Sequence, residues 1–230
     1  MTRSLASAAA LAAVVLFLSS LPSAQETQNT DEAKRVRDAT SVFGEIMGAE
    51  DKAIPQAILG KAEGIAIFPD TVKAGFIIGG TRGRGILSVR TATGWSAPAF
   101  MTLTGGSFGL QIGGQAADII LVINERRGLE NLVRNQFKIG ADASVAAGPV
   151  GRDAGAATDI QLRAQILSYS RARGLFAGVT INGSTIRQDV DANERFYGKR
   201  LDTRQIVFDE AAGTPDMVAP WLDALVRYTK

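Results

Sequence analysis

Apolar residues recur at helical spacing in several parts of this chain. From Asp31 onward the positions Val36, Ala39 and Phe43 follow that spacing, which predicts an amphipathic helix capped by Asp31. Pro55 suits the first turn of a short helix that buries Ile58 and Leu59 and stops at Gly60. Further helices are predicted over Leu129–Lys138, Asp191–Tyr197 and Pro215–Tyr228.

Short apolar runs bounded by glycines and turn residues predict strands between these helices. Ile119–Ile123 is continuously apolar, which is typical of a strand buried on both faces. Other strands are predicted within Gly64–Phe68, Phe76–Ile78, Ile86–Val89, Trp95–Thr104, Ser107–Ile112 and Gln165–Ser170. Together the elements predict a single α+β domain, with a twisted or barrel-like antiparallel sheet flanked by three or four helices.

The stretch Ala74–Arg90 combines two apolar runs with a glycine-rich, basic centre. Four glycines between positions 79 and 85 supply backbone freedom, and Arg82 and Arg84 add fixed positive charge. We interpret this stretch as a β-hairpin with a basic tip. A second hairpin is predicted over Gly174–Arg187, around an Asn182-Gly183 turn.

Composition narrows the chemistry that the chain can perform. Hydrophobic residues are 46% of 230, so the chain can form a core, but cysteine and histidine are both absent. These absences exclude disulfides, cysteine-ligated zinc and the usual neutral-pH general base. The sequence therefore predicts a protein that is not an enzyme and that binds no metal or cofactor. A hydrolase that uses carboxylates alone is the weaker rival hypothesis.

The N-terminus has the three regions of a secretory signal peptide. Arg3 is followed by the apolar run Ala8–Leu18 and by small residues that end at Ala24. We expect a signal peptide over residues 1–24, a flexible leader over 25–30 and the folded domain over 31–230. The protein would then be exported, periplasmic or secreted. Loss of Arg3 leaves 24 basic and 23 acidic residues, a net charge of +1, which does not favour nucleic-acid binding.

Several motifs in this order resemble the SYLF-domain family. They are Gly64–Arg90, Trp95–Gln111, Gly140–Arg152, Tyr169–Gly178, Asp191–Asn193 and Phe196–Gly198, and the resemblance covers Asp31–Tyr228. It implies a module that binds phosphoinositides and membranes, which in eukaryotic endocytic adaptor proteins also binds actin. The chain is most similar to the stand-alone, exported bacterial type.

The resemblance and the charge pattern together indicate where a ligand would bind. Lys73, Arg82, Arg84 and Arg90 face one acid, Asp70, between Gly64 and Phe100, so the local balance is four minus one, or +3. Arginine forks and exposed glycine amides suit a phosphate, so we predict that these four cations bind an anionic phospholipid headgroup. The alternative to headgroup binding is a solvated hairpin tip whose arginines only maintain solubility. Nucleotide binding is not expected, because the glycine spacing fits no phosphate-loop motif.

The first helix is a second candidate for membrane contact. Lys34, Arg35 and Arg37 lie beside its apolar stripe and could meet a lipid interface. Nearby acids almost cancel that charge, so packing of the stripe on the core is the favoured interpretation. A protein partner in the cell envelope is the alternative to lipid for the domain as a whole.

Three acidic groupings have plain structural explanations. Asp189, Asp191 and Asn193 copy the start of a calcium loop, but later ligand positions are wrong, so helix capping is preferred. Asp142, Asp153 and Asp159 could form a carboxylate cluster for acid–base work, but nothing in the sequence brings them together. An internal ion pair of Asp142 with Arg152 is a separate hypothesis. Trp95 and Trp221 are expected to be core or lid aromatics and not a ligand cage.

Overall fold

The computed structural model describes residues 30–49, 53–75, 78–108, 115–151, 163–172 and 174–230, with the backbone alone at 73–75, 78–79, 106–108 and 115. The α-helices are α1 (Asp31–Gly48), α2 (Gln56–Leu59), α3 (Arg126–Leu132), α4 (Val190–Tyr197), α5 (Thr203–Val207) and α6 (Ala219–Tyr228), and a 3₁₀ turn at Asp216–Val218 precedes α6. The strands are β1 (Gly64–Gly75), β2 (Ile78–Thr91), β3 (Gly94–Trp95), β4 (Ala99–Phe108), β5 (Gln115–Ile123), β6 (Gln136–Lys138), β7 (Val145–Ala147), β8 (Ile166–Ala172), β9 (Leu175–Gly178) and β10 (Thr185–Gln188).

The strands form one curled sheet in the order β6-β10-β4-β2-β1-β5-β8-β7. Neighbouring strands are antiparallel except for β7 and β8, which are parallel. β6 and β7 stand at opposite ends of this order, yet residues 139–144 alone connect them along the chain. The sheet must therefore curl until its two ends approach, which gives a half-barrel. The predicted barrel-like antiparallel α+β fold is confirmed.

Both faces of the curled sheet are covered by helices. One core contains residues of α1, α4 and α6 together with Ile67, Ile86 and Phe100, while the other contains residues of α3 and α5. Ile119–Ile123 is fully buried, as expected for a strand covered on both sides. Six α-helices lie in the described part of the chain, against the three or four expected from the sequence.

The predicted hairpin tip at Gly79–Gly85 is wrong, because β2 is one continuous strand from Ile78 to Thr91. β1 ends at Gly75, so the chain reverses before the glycine-rich segment rather than within it. These glycines instead allow β1 and β2 to pack closely. A Cβ on Gly85 would lie 2.1 Å from the carbonyl oxygen of Ile67, so only glycine lets the two strands approach this closely.

A β-bulge in β1 causes that close approach. The pairing of β1 with β2 shifts between Ile67 and Val72, where Asp70 adopts a left-handed φ of 46°. The pairing of β1 with β5 shifts at the same place. A Cβ on Gly83 would lie 2.3 Å from Oγ1 of Thr71, so the Thr71 side chain of the bulge packs against Gly83.

Two other predictions need correction. Gly183 has a left-handed φ of 82°, as the predicted Asn-Gly turn requires. However, β9 pairs with β8 and β10 pairs with β4 and β6, so the two strands do not form a hairpin with each other. The helix predicted over Leu129–Lys138 ends at Leu132, and Phe137 lies in β6.

Within the described ranges, no helix is both long enough and apolar enough to cross a membrane. The predicted signal peptide, residues 1–24, lies outside those ranges.

Candidate functional site

Arg82 and Arg84 lie two residues apart on β2, on the sheet face beside the N-terminus of α1. Both side chains are exposed, and the exposed fraction for Arg84 is 52%. The intervening Gly83 is buried beneath the β1 bulge. Two residues of separation in a strand keep side chains on one face, about 7 Å apart. The strand therefore presents two guanidinium groups side by side.

A groove of about 560 Å³ lies between this pair, the bulge and α1. Its wall on the bulge side includes Pro69, Asp70 and the half-exposed Val72, which is paired with Arg82 across the strands. Its full lining is Asp31, Lys34, Arg35, Asp38, Pro69, Asp70, Val72, Gly80, Thr81, Arg82, Gly83 and Arg84. Four cations and three carboxylates therefore line the groove.

The carboxylates of α1 moderate the positive potential of the groove. Oδ2 of Asp31 lies 3.9 Å from a guanidinium nitrogen of Arg84. Lys34 donates a hydrogen bond of 2.5 Å to Asp38, and that bond is the main reason that the pKa of Lys34 is raised. Because these groups are largely exposed, water screens the pairs and they stabilise the fold little. Among the described residues Arg82 takes part in no ion pair, and its exposed guanidinium is available to a ligand.

An ion-pair chain that runs from β5 through β8 to α1 holds the β1 bulge. Oδ1 of Asp118 accepts a 3.0 Å hydrogen bond from the amide of Asp70, and Oδ2 accepts one of 2.7 Å from Arg171. Arg171 also pairs with Glu45 of α1. Hydrogen bonds from Ser41 and then from Arg171 lower the pKa of Glu45. This chain fixes the height of the bulge relative to Arg82 and hence the shape of the groove.

Arg35 is not on the exposed side of α1, contrary to the sequence prediction. Its side chain is 7% exposed and donates a 3.0 Å hydrogen bond to Asp189. Its guanidinium carbon lies 5.5 Å from the centre of the Phe100 ring. Beside it, buried Glu32 accepts two hydrogen bonds from Arg195. Arg35 therefore fastens α1 to the sheet, while Lys34 and Arg37 remain exposed.

Arg90 does not join Arg82 and Arg84, although all three lie on β2. Six residues of strand separate Arg90 from Arg84, which is about 20 Å. Arg90 donates hydrogen bonds to the carbonyl oxygens of Ala62, Leu59 and Thr229, and it stacks at 4.9 Å over the ring of Trp95. Its role here is to tie the C-terminal residues to the sheet.

The remaining predicted residues divide into three groups. Lys73 is in β1, opposite Thr81, but the structure describes only its backbone. Trp95 and Trp221 are buried, as predicted. The other predicted acidic cluster is untested, because Asp153 and Asp159, like Arg152, fall outside the described residues.

The aspartates at the start of α4 are structural. Asp189 caps the helix through the amide of Ala192, and Asn193 is buried between the amide of Phe100 and the carbonyl of Leu201. Helix capping, the preferred interpretation, is thus confirmed for this segment. Among the residues that the structure describes, no three carboxylate side chains converge as a metal site.

Sequence reasoning missed Asp31 and Val72 as parts of the site. It also missed that the face of Arg82 and Arg84 continues onto β10, where it carries Arg187. The sequence showed charged Arg187 next to apolar Ile186, as in a half-buried strand, but it did not show that β10 pairs with β4.

Comparison with known proteins gives a consistent result. The Ysc84 family model, described as "Las17-binding protein actin regulator", matches residues 104–228. SH3 domain-containing YSC84-like protein 1 of Homo sapiens is 31% identical over 192 residues, which are 83% of this chain and 55% of the relative. Protein YSC84 of Saccharomyces cerevisiae is 31% identical over 211 residues, 90% of this chain and 43% of the relative. LAS seventeen-binding protein 3 of the same species is 34% identical over 182 residues, 77% and 39% respectively. The chain thus spans about half the length of these relatives, or less.

Proposed function

Because the chain belongs to the Ysc84 (SYLF) family, we propose that it is a non-enzymatic interaction module that binds a protein partner through Arg82 and Arg84. The observation that supports this most is the pair of exposed guanidinium groups on one strand face, above a bulge that an ion-pair chain holds in place. Rigid presentation of charge favours specific contact over general attraction.

The partner class follows from the descriptions of the relatives. The family model names Las17 binding and actin regulation, and a relative that is 34% identical is named for Las17 binding. We propose that this chain binds a partner of that actin-regulatory class. An acidic surface on that partner would complement the arginine pair.

Capture on immobilised Las17 and co-sedimentation with actin filaments test the proposal. The intact chain should bind at least one of them, and Arg82→Glu with Arg84→Glu should weaken that binding about tenfold or more, because two attractions become repulsions. Lys61→Glu with Arg227→Glu is the matched control, since it makes the same charge change at exposed positions outside the groove. No capture of either protein by the wild-type chain at low salt would refute the partner class.

Anionic phospholipid is the second candidate ligand, and one observation favours it. Val72 is 47% exposed beside Arg82, so the groove offers a guanidinium for the phosphate of a phospholipid and an apolar side chain for the start of its acyl chains. Co-sedimentation with phosphatidylserine–phosphatidylcholine vesicles tests this ligand. Binding should fall as salt rises and should be lost in the Arg82→Glu, Arg84→Glu variant. Retained vesicle binding in that variant would remove the site from the groove.

The N-terminal sequence supports a rival proposal, a location outside the cytoplasm, where the partner would be a protein of the cell envelope instead of an actin regulator. The charge of Arg3, the apolar run Ala8–Leu18 and the small residues up to Ala24 support export. Mass spectrometry of the protein from its natural host should find a mature N-terminus at Gln25. A cytoplasmic protein that retains Arg3 would contradict this proposal.

A further inference from the structure

The sheet face that carries Arg82 and Arg84 continues across two more strands beyond β4. Strand pairing places Arg84 opposite Thr102, Thr102 opposite Arg187 and Arg187 opposite Gln136. These four residues form one row that runs from β2 to β6. Paired positions of neighbouring antiparallel strands lie on the same face of a sheet, so the row is a continuous surface.

A second row lies beside the first. It runs from Arg82 to Thr104, then to Thr185, and ends at Lys138. We call the two rows together the rung surface. It contains four cations, three threonines and one glutamine, and none of its eight positions is acidic or apolar.

The rung surface extends a face that helices cover farther along the strands. Ile86 lies two residues from Arg84 on β2, and Phe100 lies two residues from Thr102 on β4. Both are fully buried in the core that they share with α1 and α4. At the rung surface itself the cations are exposed. The positions between the rungs, such as Leu103 and Ile186, are buried on the opposite face.

The cations of the rung surface are regularly spaced, and one of them is oriented. Strands lie about 4.8 Å apart, so Arg84 and Arg187 are about 10 Å apart and Arg82 and Lys138 about 14 Å apart, measured across the sheet. The guanidinium of Arg187 donates a 3.0 Å hydrogen bond to the side chain of Gln136. Carboxylates occur at the rim, where Asp31 faces Arg84 and Asp142 accepts a hydrogen bond from the amide of Lys138.

We propose that the rung surface binds an acidic protein segment that lies across the strands. The inference rests on the proposed function, a protein partner, and extends its contact from the arginine pair to Arg187 and Lys138. The 14 Å width accommodates about four residues of extended chain, and arginine forks hold carboxylates in two-point contact. Threonine and glutamine side chains between the cations add hydrogen bonds to such a segment. A peptide is favoured over a membrane because the rung surface has no apolar side chain to insert into lipid.

A short fluorescent poly-L-glutamate peptide is the probe, with binding to the full chain followed by anisotropy at low salt. Lys138→Glu with Arg187→Glu should weaken binding about tenfold or more, and added salt should weaken wild-type binding. Lys61→Glu with Arg227→Glu makes the same charge change away from the rung surface and should alter binding less than about twofold. Lys138→Gln with Arg187→Gln serves as the second variant if charge reversal unfolds the protein, and the urea midpoint of each variant verifies its fold.

Three other outcomes would refute the inference, and each would point to a different explanation. Equal weakening in the Lys61, Arg227 control would mean that net charge alone acts. Loss of binding in Arg82→Glu, Arg84→Glu but not in the Lys138, Arg187 variant would leave the proposed function intact and refute the rung surface. If the Lys138, Arg187 variant loses binding to anionic vesicles but keeps the peptide, the surface serves a membrane instead.

Discussion

Removal of the Tyr169 hydroxyl should stabilise this protein, although the residue is fully buried. The hydroxyl has no hydrogen-bond partner within the described structure, and burial raises its pKa, so it stays neutral and unsatisfied. The ring stacks on Phe176 with centroids 5.4 Å apart, a contact that phenylalanine would keep. Tyr169→Phe therefore removes the unpaired polar atom and leaves the packing largely unchanged.

The size of the gain follows from two opposing terms. An unsatisfied buried hydroxyl costs about 1–3 kcal/mol. Against that, the hydroxyl is packed near Gly148, where an added Cβ would lie 2.4 Å from its oxygen, and the loss of these contacts costs a few tenths of a kcal/mol, roughly. The net stabilisation should be about 1–2 kcal/mol. With a urea m-value of about 3 kcal/mol per molar, the midpoint should rise by about 0.3–0.7 M.

Tyr197→Phe is the matched control for this experiment. The hydroxyl of Tyr197 donates a 2.6 Å hydrogen bond to the carbonyl oxygen of Pro98, so the same substitution there removes a bond that is made. Its urea midpoint should fall by about 0.3–0.7 M, since about 1–2 kcal/mol is lost. Both transitions are followed by circular dichroism and by tryptophan fluorescence. A lower midpoint for Tyr169→Phe than for the wild type would show that its hydroxyl has a partner and would refute the reasoning.

Three further predictions use the same unfolding assay. Gly85→Ala should destabilise the protein by about 3 kcal/mol, because its Cβ would collide with the backbone of β1, whereas Gly80→Ala, which meets no atom within 4 Å, should change stability by less than about 1 kcal/mol; equal effects would contradict the close approach of the strands. Arg90→Ala should cost about 2–3 kcal/mol and should speed amide exchange at Thr229, since three carbonyl groups lose their donor; unchanged exchange would show that another contact holds the terminus. Glu45→Gln should lower stability by less than about 1 kcal/mol at pH 7, because the carboxylate is largely exposed. The folded pKa of Glu45 is lowered from 4.5, so its contribution is present above pH 4.5 and disappears as the pH falls through the lowered value; a difference between variant and wild type that grows on acidification would contradict this sign.

Local pattern was sufficient for the elements whose sequence has one structural explanation. The continuous apolar run Ile119–Ile123 fits only a strand buried on both faces, and it is one. Gly198, predicted to end a helix, adopts the left-handed φ of 66° that a C-terminal cap requires. Trp95 and Trp221, expected to be core or lid aromatics, are both buried.

The glycines and the arginines of β2 were each compatible with two structural roles, and the sequence alone could not choose between them. A glycine-rich segment suits a turn or a close approach of two strands, and the bulge that decides between them arises from pairing with β1. Alternation placed Arg84 and Arg90 on one face, but the length of the strand puts them far apart. Their different roles depend on the residues that pack against each end of β2.

The rung surface was beyond local pattern for a related reason. Thr102 and Arg187 meet across 85 residues of sequence, and the register that joins them is set by burial of Leu103 and Ile186 on the opposite face. Such a register is a property of the assembled sheet. Charge counting along the chain therefore found two of its four cations and missed Lys138 and Arg187.

The strand order also determines when this surface can exist during synthesis. Within the described sheet, β6 is bonded to β10 alone, and β10 lies between β6 and β4, although it follows β6 by some 50 residues of chain. Until Gln188 has left the ribosome, the outer edge of β4 has unpaired amide and carbonyl groups. A chain that stops before β10 should therefore expose an aggregation-prone edge as well as lose the rung surface. The binding face and the protection of the sheet are completed by the same late strand.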